Sequence, residues 1–311
     1  MKKVKDLRWH KGIDVSSLVR SLSETGFQGA EIHKACEIIM KMKKNGATIF
    51  FTFTSNMATS GLRGFFAQLI ELGLVDVIVT TIGGMEEDIM KAYGENFLIG
   101  KFVPDDLELY EKGINRVGNI FIRNESYLNF EDTISKLLEK LYNKKSRWSP
   151  SELLSEIGKK TNDDSSILYQ AATNKVPIFC PGITDGAFGF HLYMIQQKHP
   201  DFVIDVVSDF SNILFTTSHD EKKGLISLGG GISKHHAILA TLINGGLDYA
   251  VYLTTSRSTS GSMSGATTNE AKSWGKIKDD SDAVTVIGDV TFTFPLVMIK
   301  VLDSLSKENL L

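Results

Sequence analysis

Between Ser262 and Lys276 the sequence reads S-M-S-G-A-T-T-N-E-A-K-S-W-G-K, which delivers an acid, an indole and an amine in a short space. Glu270 and Trp274 are four apart and would share one face of a helical turn. Lys276 follows Gly275, whose backbone can turn sharply. A lysine does covalent chemistry only as a neutral amine, so it needs a dry or electropositive pocket, and a neighbouring indole could supply part of a dry wall. The alternative is that Trp274 is core and Lys276 merely solvated, as most lysines are.

Other polar groups follow apolar runs. Gly229-Gly230-Gly231 comes after Leu225–Leu228 and before Ser233-Lys234-His235-His236. Glycines there either let backbone N–H groups approach a phosphate or ribose, or simply make a tight strand-to-helix turn. Adjacent histidines point in different directions, which disfavours a two-histidine metal site; one of them could face a crevice as a proton carrier. Glu86-Glu87-Asp88 reads as the start of a helix, where acids cap favourably or serve as counter-ions to a cationic ligand. Asp185, Asp289, Asn56 and Ser60 each follow a strand-like run and could bond a nucleotide.

The elements that must position these groups alternate. Strands are expected at Ala47–Thr54, Val75–Thr81, Val176–Cys180, Phe202–Val207, Leu225–Leu228, Tyr249–Leu253 and Ala283–Ile287. Helical patterns lie between them, including Ile32–Lys44, Phe65–Leu72, one starting at Ser149-Pro150-Ser151-Glu152, and a last one over Pro295–Leu305. Residues 93–148 form a less regular insertion. Alternation of this kind implies an α/β fold with a mostly parallel, doubly wound sheet and helices on both faces, and ligands at the carboxyl ends of its strands. We read residues 31–311 as a single catalytic domain and residues 1–30 as an N-terminal arm.

Composition bounds the rest. With 311 residues, 42% hydrophobic, 23% charged and a net charge of −3, the chain is an ordinary globular protein and a poor candidate for nucleic-acid binding. Two cysteines, Cys36 and Cys180, are far apart and lack ligand spacing, so neither a disulfide framework nor a metal is expected. No apolar run approaches the roughly 18 residues needed to span a bilayer. A cytoplasmic protein with no membrane contact is the expectation.

Taken together, the segments resemble the deoxyhypusine synthase family nearly end to end. The resemblance is carried by T-G-F-Q at Thr25, T-S-N-M-A-T-S-G at Thr54, T-T-I-G-G-M-E-E-D at Thr80 and K-G-I-N-R-V-G-N at Lys112. It continues through F-E-D at Phe130, T-D-G-A-F-G at Thr184, G-G-G-I-S-K-H-H at Gly229, D-Y-A-V-Y at Asp248, S-G-A at Ser264 and E-A-K-S-W-G-K-I at Glu270. It implies a Rossmann-like NAD-binding fold, a homotetramer, and transfer of the 4-aminobutyl group of spermidine through an enzyme-lysine imine to a lysine of translation initiation factor 5A. In that pattern Lys276 is the covalent lysine, with His235 and Glu270 beside the reacting end. Glu87, Trp274, Tyr252, Leu242 and Asp185 would hold the amine. Asn56, Ser60, Thr81, Gly83, Asp185, Gly229, Gly230, Thr255, Gly288 and Asp289 would surround NAD.

Three positions depart from the pattern. Phe190 and Met263 stand where acids are usual, and Leu239 where an amide is usual, so this part of the pocket is more apolar. Two other readings follow: transfer to a small amine such as putrescine, as in homospermidine synthesis, or a non-catalytic NAD-binding regulatory subunit.

Overall fold

The computed structural model describes residues 3–311; Met1 and Lys2, at the start of the expected arm, lie outside the described residues. The chain divides into two compact units: residues 3–53, Leu72–Val79 and Ile213–Leu311 form the first, and Thr54–Glu71 with Thr80–Asn212 the second.

The first unit is built on five parallel strands, β1 (Thr48–Phe53), β2 (Val77–Val79), β3 (Lys223–Leu228), β4 (Leu247–Thr254) and β5 (Ile277–Ile287), in the order β5-β4-β3-β1-β2. β1 pairs with β2 from Phe50↔Val77 and with β3 from Thr48↔Lys223. The order reverses between β1 and β3, which puts the crevice of a doubly wound sheet at their carboxyl ends. Every residue of β3 and nearly every residue of β1 is buried, because both faces of a parallel sheet are covered. That is why T-I-F-F-T-F and K-G-L-I-S-L read as continuous runs rather than alternating ones.

Its helices are α1 (Val15–Leu22), α2 (Gln28–Lys44), α3 (Gly231–Ile243), α4 (Thr268–Ser273) and α5 (Val290–Lys307). α1 and α2 pack on α5, and Phe294 of α5 stacks on Phe51 of β1 at 5.8 Å between ring centroids. α3 packs on β1, β2 and β4. The last helix starts earlier than expected. Asp289 caps it by accepting the Thr291 N–H at 2.8 Å, so Pro295 lies inside the helix rather than at its first turn. A buried stripe of Val290, Phe294, Val297, Met298 and Val301 offsets the hydrogen bond that the proline lacks.

The second unit is mainly helical. Residues of the irregular insertion form an antiparallel sheet, Leu98–Ile99, Ile114–Val117 and Ile120–Arg123, before a long helix, Asn124–Tyr142. The helix Pro150–Gly158 begins as its sequence predicts, with Ser149 and Glu152 forming a reciprocal capping box. The expected strand Phe202–Val207 is corrected: only Val203–Ile204 is extended, and it pairs with Arg147–Trp148. Asp205 accepts the Ser208 N–H at 2.8 Å, and the two valines that follow it open the helix Val206–Leu214. The glycines Gly83 and Gly84 lie in the first turn of the helix Ile82–Ala92. No helix among the described residues is long and apolar enough to cross a membrane.

Candidate active site

Lys276 is positioned by the way α4 ends. Thr267 caps the helix start by accepting the Glu270 N–H at 3.2 Å. At the other end Gly275 takes φ +68°, its N–H donates to the Lys272 carbonyl at 2.9 Å, and the Lys276 N–H donates to the Ala271 carbonyl at 3.1 Å. This pair of bonds is a Schellman closure, and it needs a left-handed residue where the glycine stands. The Lys276 carbonyl then accepts the Leu247 N–H at 3.0 Å. Lys276 is thus fixed on both sides as it enters β5, instead of following a strand as the other motifs do.

Its side chain is 8% exposed, with Nζ 5.2 Å from the centre of the Trp274 ring, whereas Trp274 itself is 68% exposed. The reading in which the indole is core and the amine solvated is therefore reversed: the indole is the outer cover and the amine lies beneath it.

That amine borders a cavity of about 310 Å³. α3 contributes Lys234 and His235 to it, β4 contributes Tyr252, and the α4 turn contributes Glu270 and Trp274, with Met263 on the wall. Burial, and then the charge of Lys276, hold the His235 imidazole below its ordinary pKa, so it is neutral near pH 7. Burial raises the Tyr252 phenol, whose hydroxyl is buried and has no hydrogen-bond partner. Of the residues expected around the amine, Lys276, His235, Glu270, Trp274 and Tyr252 share this space. Leu242 does not line it; its Cδ1 lies 3.6 Å from the point where a side chain on Gly275 would begin. Leu239 is half-buried on α3 and also lies off the lining.

The carboxyl edge of the same sheet carries the second set. The Gly229 N–H donates to Leu253 at 2.8 Å and the Gly288 N–H to Thr254 at 3.0 Å, which places Gly229, Thr255 and Gly288 side by side beyond the strand ends. Gly229 has φ +76°, and a side chain on Gly230 would begin 2.3 Å from the Ser264 Cα, so both turn geometry and close approach demand glycine. α3 starts there with no side-chain cap, which leaves its first N–H groups to face an anion. Asp289 gives one carboxylate oxygen to the cap of α5.

The remaining expected residues belong to the second unit. The Asn56 amide oxygen accepts the Thr54 hydroxyl at 2.6 Å, and the Ser60 hydroxyl donates to the Met57 carbonyl at 2.7 Å. Thr81 accepts the Ser55 N–H at 3.0 Å, and a side chain on Gly83 would meet the Ser55 hydroxyl at 2.7 Å. Asp185 is exposed in the turn before the helix Ala187–Lys198 that also bears Phe190.

Glu86, Glu87 and Asp88 are all buried in the second turn of Ile82–Ala92, so they do not cap their own helix. Two of them cap others. Glu86 accepts the Phe188 N–H at 2.9 Å at the start of Ala187–Lys198. Asp88 accepts the N–H groups of Ile167 and Leu168 at 3.1 and 2.9 Å and pairs with Arg63. Glu87 is left with the Thr59 hydroxyl, and burial pushes its carboxyl up to about 7.

Lys234 is the cavity residue to which the sequence assigned no role. Its position carried a signal: Ser233, Lys234, Ala237, Ile238, Ala240 and Thr241 form the buried stripe of α3, and a lysine on such a stripe must face an enclosed space. Among the described residues no cluster of three or more His, Cys, Asp or Glu side chains could hold a metal.

The family model for deoxyhypusine synthase matches residues 17–301. The chain belongs to the deoxyhypusine synthase family. The "Probable deoxyhypusine synthase" of Thermoplasma acidophilum is 43% identical over 277 residues, 88% of each chain. The deoxyhypusine synthase of Senecio vernalis is 38% identical over 326 residues, covering 95% of this chain and 88% of its own. A crystal structure of an Entamoeba histolytica protein described under the same family name matches with a TM-score of 0.70 at 30% identity, over 96% of this chain and 97% of that one. Members of this family are transferases, and the mostly parallel α/β architecture is shared with that structure.

Proposed function

We propose that this chain transfers the 4-aminobutyl group of spermidine to a lysine of translation initiation factor 5A, with Lys276 as the residue that carries the group as an imine. The observation that supports this most is the presentation of Lys276: a buried amine, fixed by a glycine-dependent turn, under an indole and beside a cavity with one carboxylate and a neutral imidazole. Removal from water is one of the conditions an amine nucleophile requires.

NAD fits the carboxyl edge of the sheet. The uncapped start of α3 and the close backbone approach at Gly229 and Gly230 suit a pyrophosphate, while Thr255, Gly288 and Asp289 border the same edge. When bound, NAD supplies the oxidation that makes the amine's carbon electrophilic and the later reduction of the product imine. The residues of this chain do the rest. Glu270 attracts the cationic donor, Trp274 and Tyr252 flank its methylene chain, and His235 stays neutral so that it can exchange a proton.

A homotetramer forms part of the same reading. Trp274, 68% exposed over the reactive amine, is the kind of surface that a second copy would cover.

The test is incubation of the purified protein with NAD and spermidine, with and without the initiation factor, followed by mass spectrometry of the factor. A butylamine-sized gain on one factor lysine is expected. Conversion of putrescine without any gain on the factor would replace this reading with homospermidine-type transfer, and inertness toward every amine would leave a regulatory subunit.

A further inference from the structure

Two lysines border the cavity, and the imine cycle uses only one of them. Lys234 is 1% exposed. Its Nζ donates to the Ala266 carbonyl at 3.1 Å and lies 4.5 Å from the centre of the Tyr252 ring. Among the described residues it makes no ion pair with a carboxylate. One carbonyl and one ring are thin compensation for a buried ammonium, which has three protons to satisfy.

The other titratable groups that line the same cavity are few. From its own helix comes His235, held neutral by burial; from α4 comes Glu270; from the entry of β5 comes Lys276; and from β4 comes Tyr252, whose phenol is held protonated. β1 and β2, which also pack on α3, bring no titratable side chain. Burial pulls the Lys234 ammonium down to about 8, against the opposing charge of Glu270. Close to neutral pH the side chain can therefore both lose and regain a proton.

We propose that Lys234 is the proton carrier of the transfer step, taking a proton from the nitrogen of Lys276 and returning it to the departing amine. This rests on the imine cycle proposed above. The neutral Lys276 amine adds to the carbon of the protonated substrate imine, and the π electrons of that C=N bond move onto the substrate nitrogen. The Lys276 nitrogen, now cationic, gives one proton to neutral Lys234. Lys234 passes that proton to the substrate nitrogen, whose bond to carbon breaks as it leaves with the electron pair. The lone pair on the Lys276 nitrogen closes the new protonated C=N bond. No electrons and no net protons are exchanged with solvent.

The test compares full-length wild type, Lys234→Arg and Lys234→Met, each incubated with NAD and spermidine. NADH formation is followed optically, and the adduct on Lys276 is fixed with borohydride at timed points between about pH 6 and about pH 10. Wild type should show an adduct rate that rises with pH through about 8. In both variants the adduct should form on the order of 100-fold more slowly relative to NADH than in wild type, with the rise near pH 8 gone. Thermal unfolding provides a readout that a structural role would move in the other direction: Lys234→Met should melt at or above the wild-type temperature, because it removes a poorly partnered buried amine. A folded variant with the wild-type adduct rate and pH profile would overturn the proposal. So would parallel loss of NADH formation, which would make Lys234 an amine-binding group. If wild type itself forms neither NADH nor adduct, the imine cycle fails first and this step with it.

Discussion

Asp88 in the second unit and Lys234 in the first are buried to nearly the same degree and are treated in opposite ways. Asp88, 0% exposed, is surrounded: Arg63 pairs with it, the Ser166 hydroxyl donates at 2.8 Å, and two backbone N–H groups donate from the start of the next helix. Arg63 is held in turn by Asp163 at 2.6 Å. Lys234 has one carbonyl and one ring. A buried charge with a complete set of partners fixes a structure, whereas one left short of partners keeps the freedom to change its protonation state. Glu87 stands between these cases, with the Thr59 hydroxyl as its hydrogen-bond donor.

The contrast breaks first at Asp88. Asp88→Ala should cost about 3–5 kcal/mol in urea unfolding, since it takes from Arg63 the fully buried one of its two carboxylate partners and removes the acceptor for two N–H groups at the start of the helix Ile167–Asn174. A cost close to that of a surface substitution would remove the structural half of the comparison.

Glu87 sharpens it through pH. Its carboxyl rises from 4.5 to about 7 on folding, chiefly by burial. Below the unfolded value both states are protonated. Between the two values the native state keeps a proton that the unfolded state has lost, so stability falls as pH rises through this window. Above the folded value the full penalty remains. Glu87→Gln, which can still accept from Thr59, should flatten that slope and gain on the order of 2–3 kcal/mol above neutral pH, with no gain in acid. Denaturant midpoints measured across pH check the sign.

The smallest expected effect concerns the turn that presents the amine. Gly275→Ala places a side chain at φ +68° and should cost about 1 kcal/mol of stability. Adduct formation at Lys276 should slow by more than so small a loss of stability explains, because the Schellman closure sets the direction of the lysine. Equal retention of rate and fold would mean that the turn is not what positions it.

Much of the first unit could be read from the chain because its strands are buried on both faces and so appear as unbroken apolar runs. The strand at Val203–Ile204 could not be read with the same ease. Its valine-rich continuation has strand propensity, but a single side chain, Asp205, diverts it into a helix. Pro295 misled in the same manner, since the cap that starts its helix is an aspartate also suited to a ribose. At the site, residue types and the glycine before Lys276 were legible. The destinations of Glu86 and Asp88 were not, because each caps a helix far along the chain. Glu86 reaches an N–H 102 residues on, and Asp88 reaches two that lie 79 and 80 residues on. Lys234 was visible as a letter in a motif, and only its place on a buried stripe shows that it faces the cavity.

The most direct test of the division of labour between the two lysines is peptide mapping of the borohydride-fixed protein after incubation with NAD and spermidine. The account predicts the added mass on the Lys276 peptide alone, and none anywhere in Lys276→Ala. The mass on the Lys234 peptide, or retained in Lys276→Ala, would contradict it.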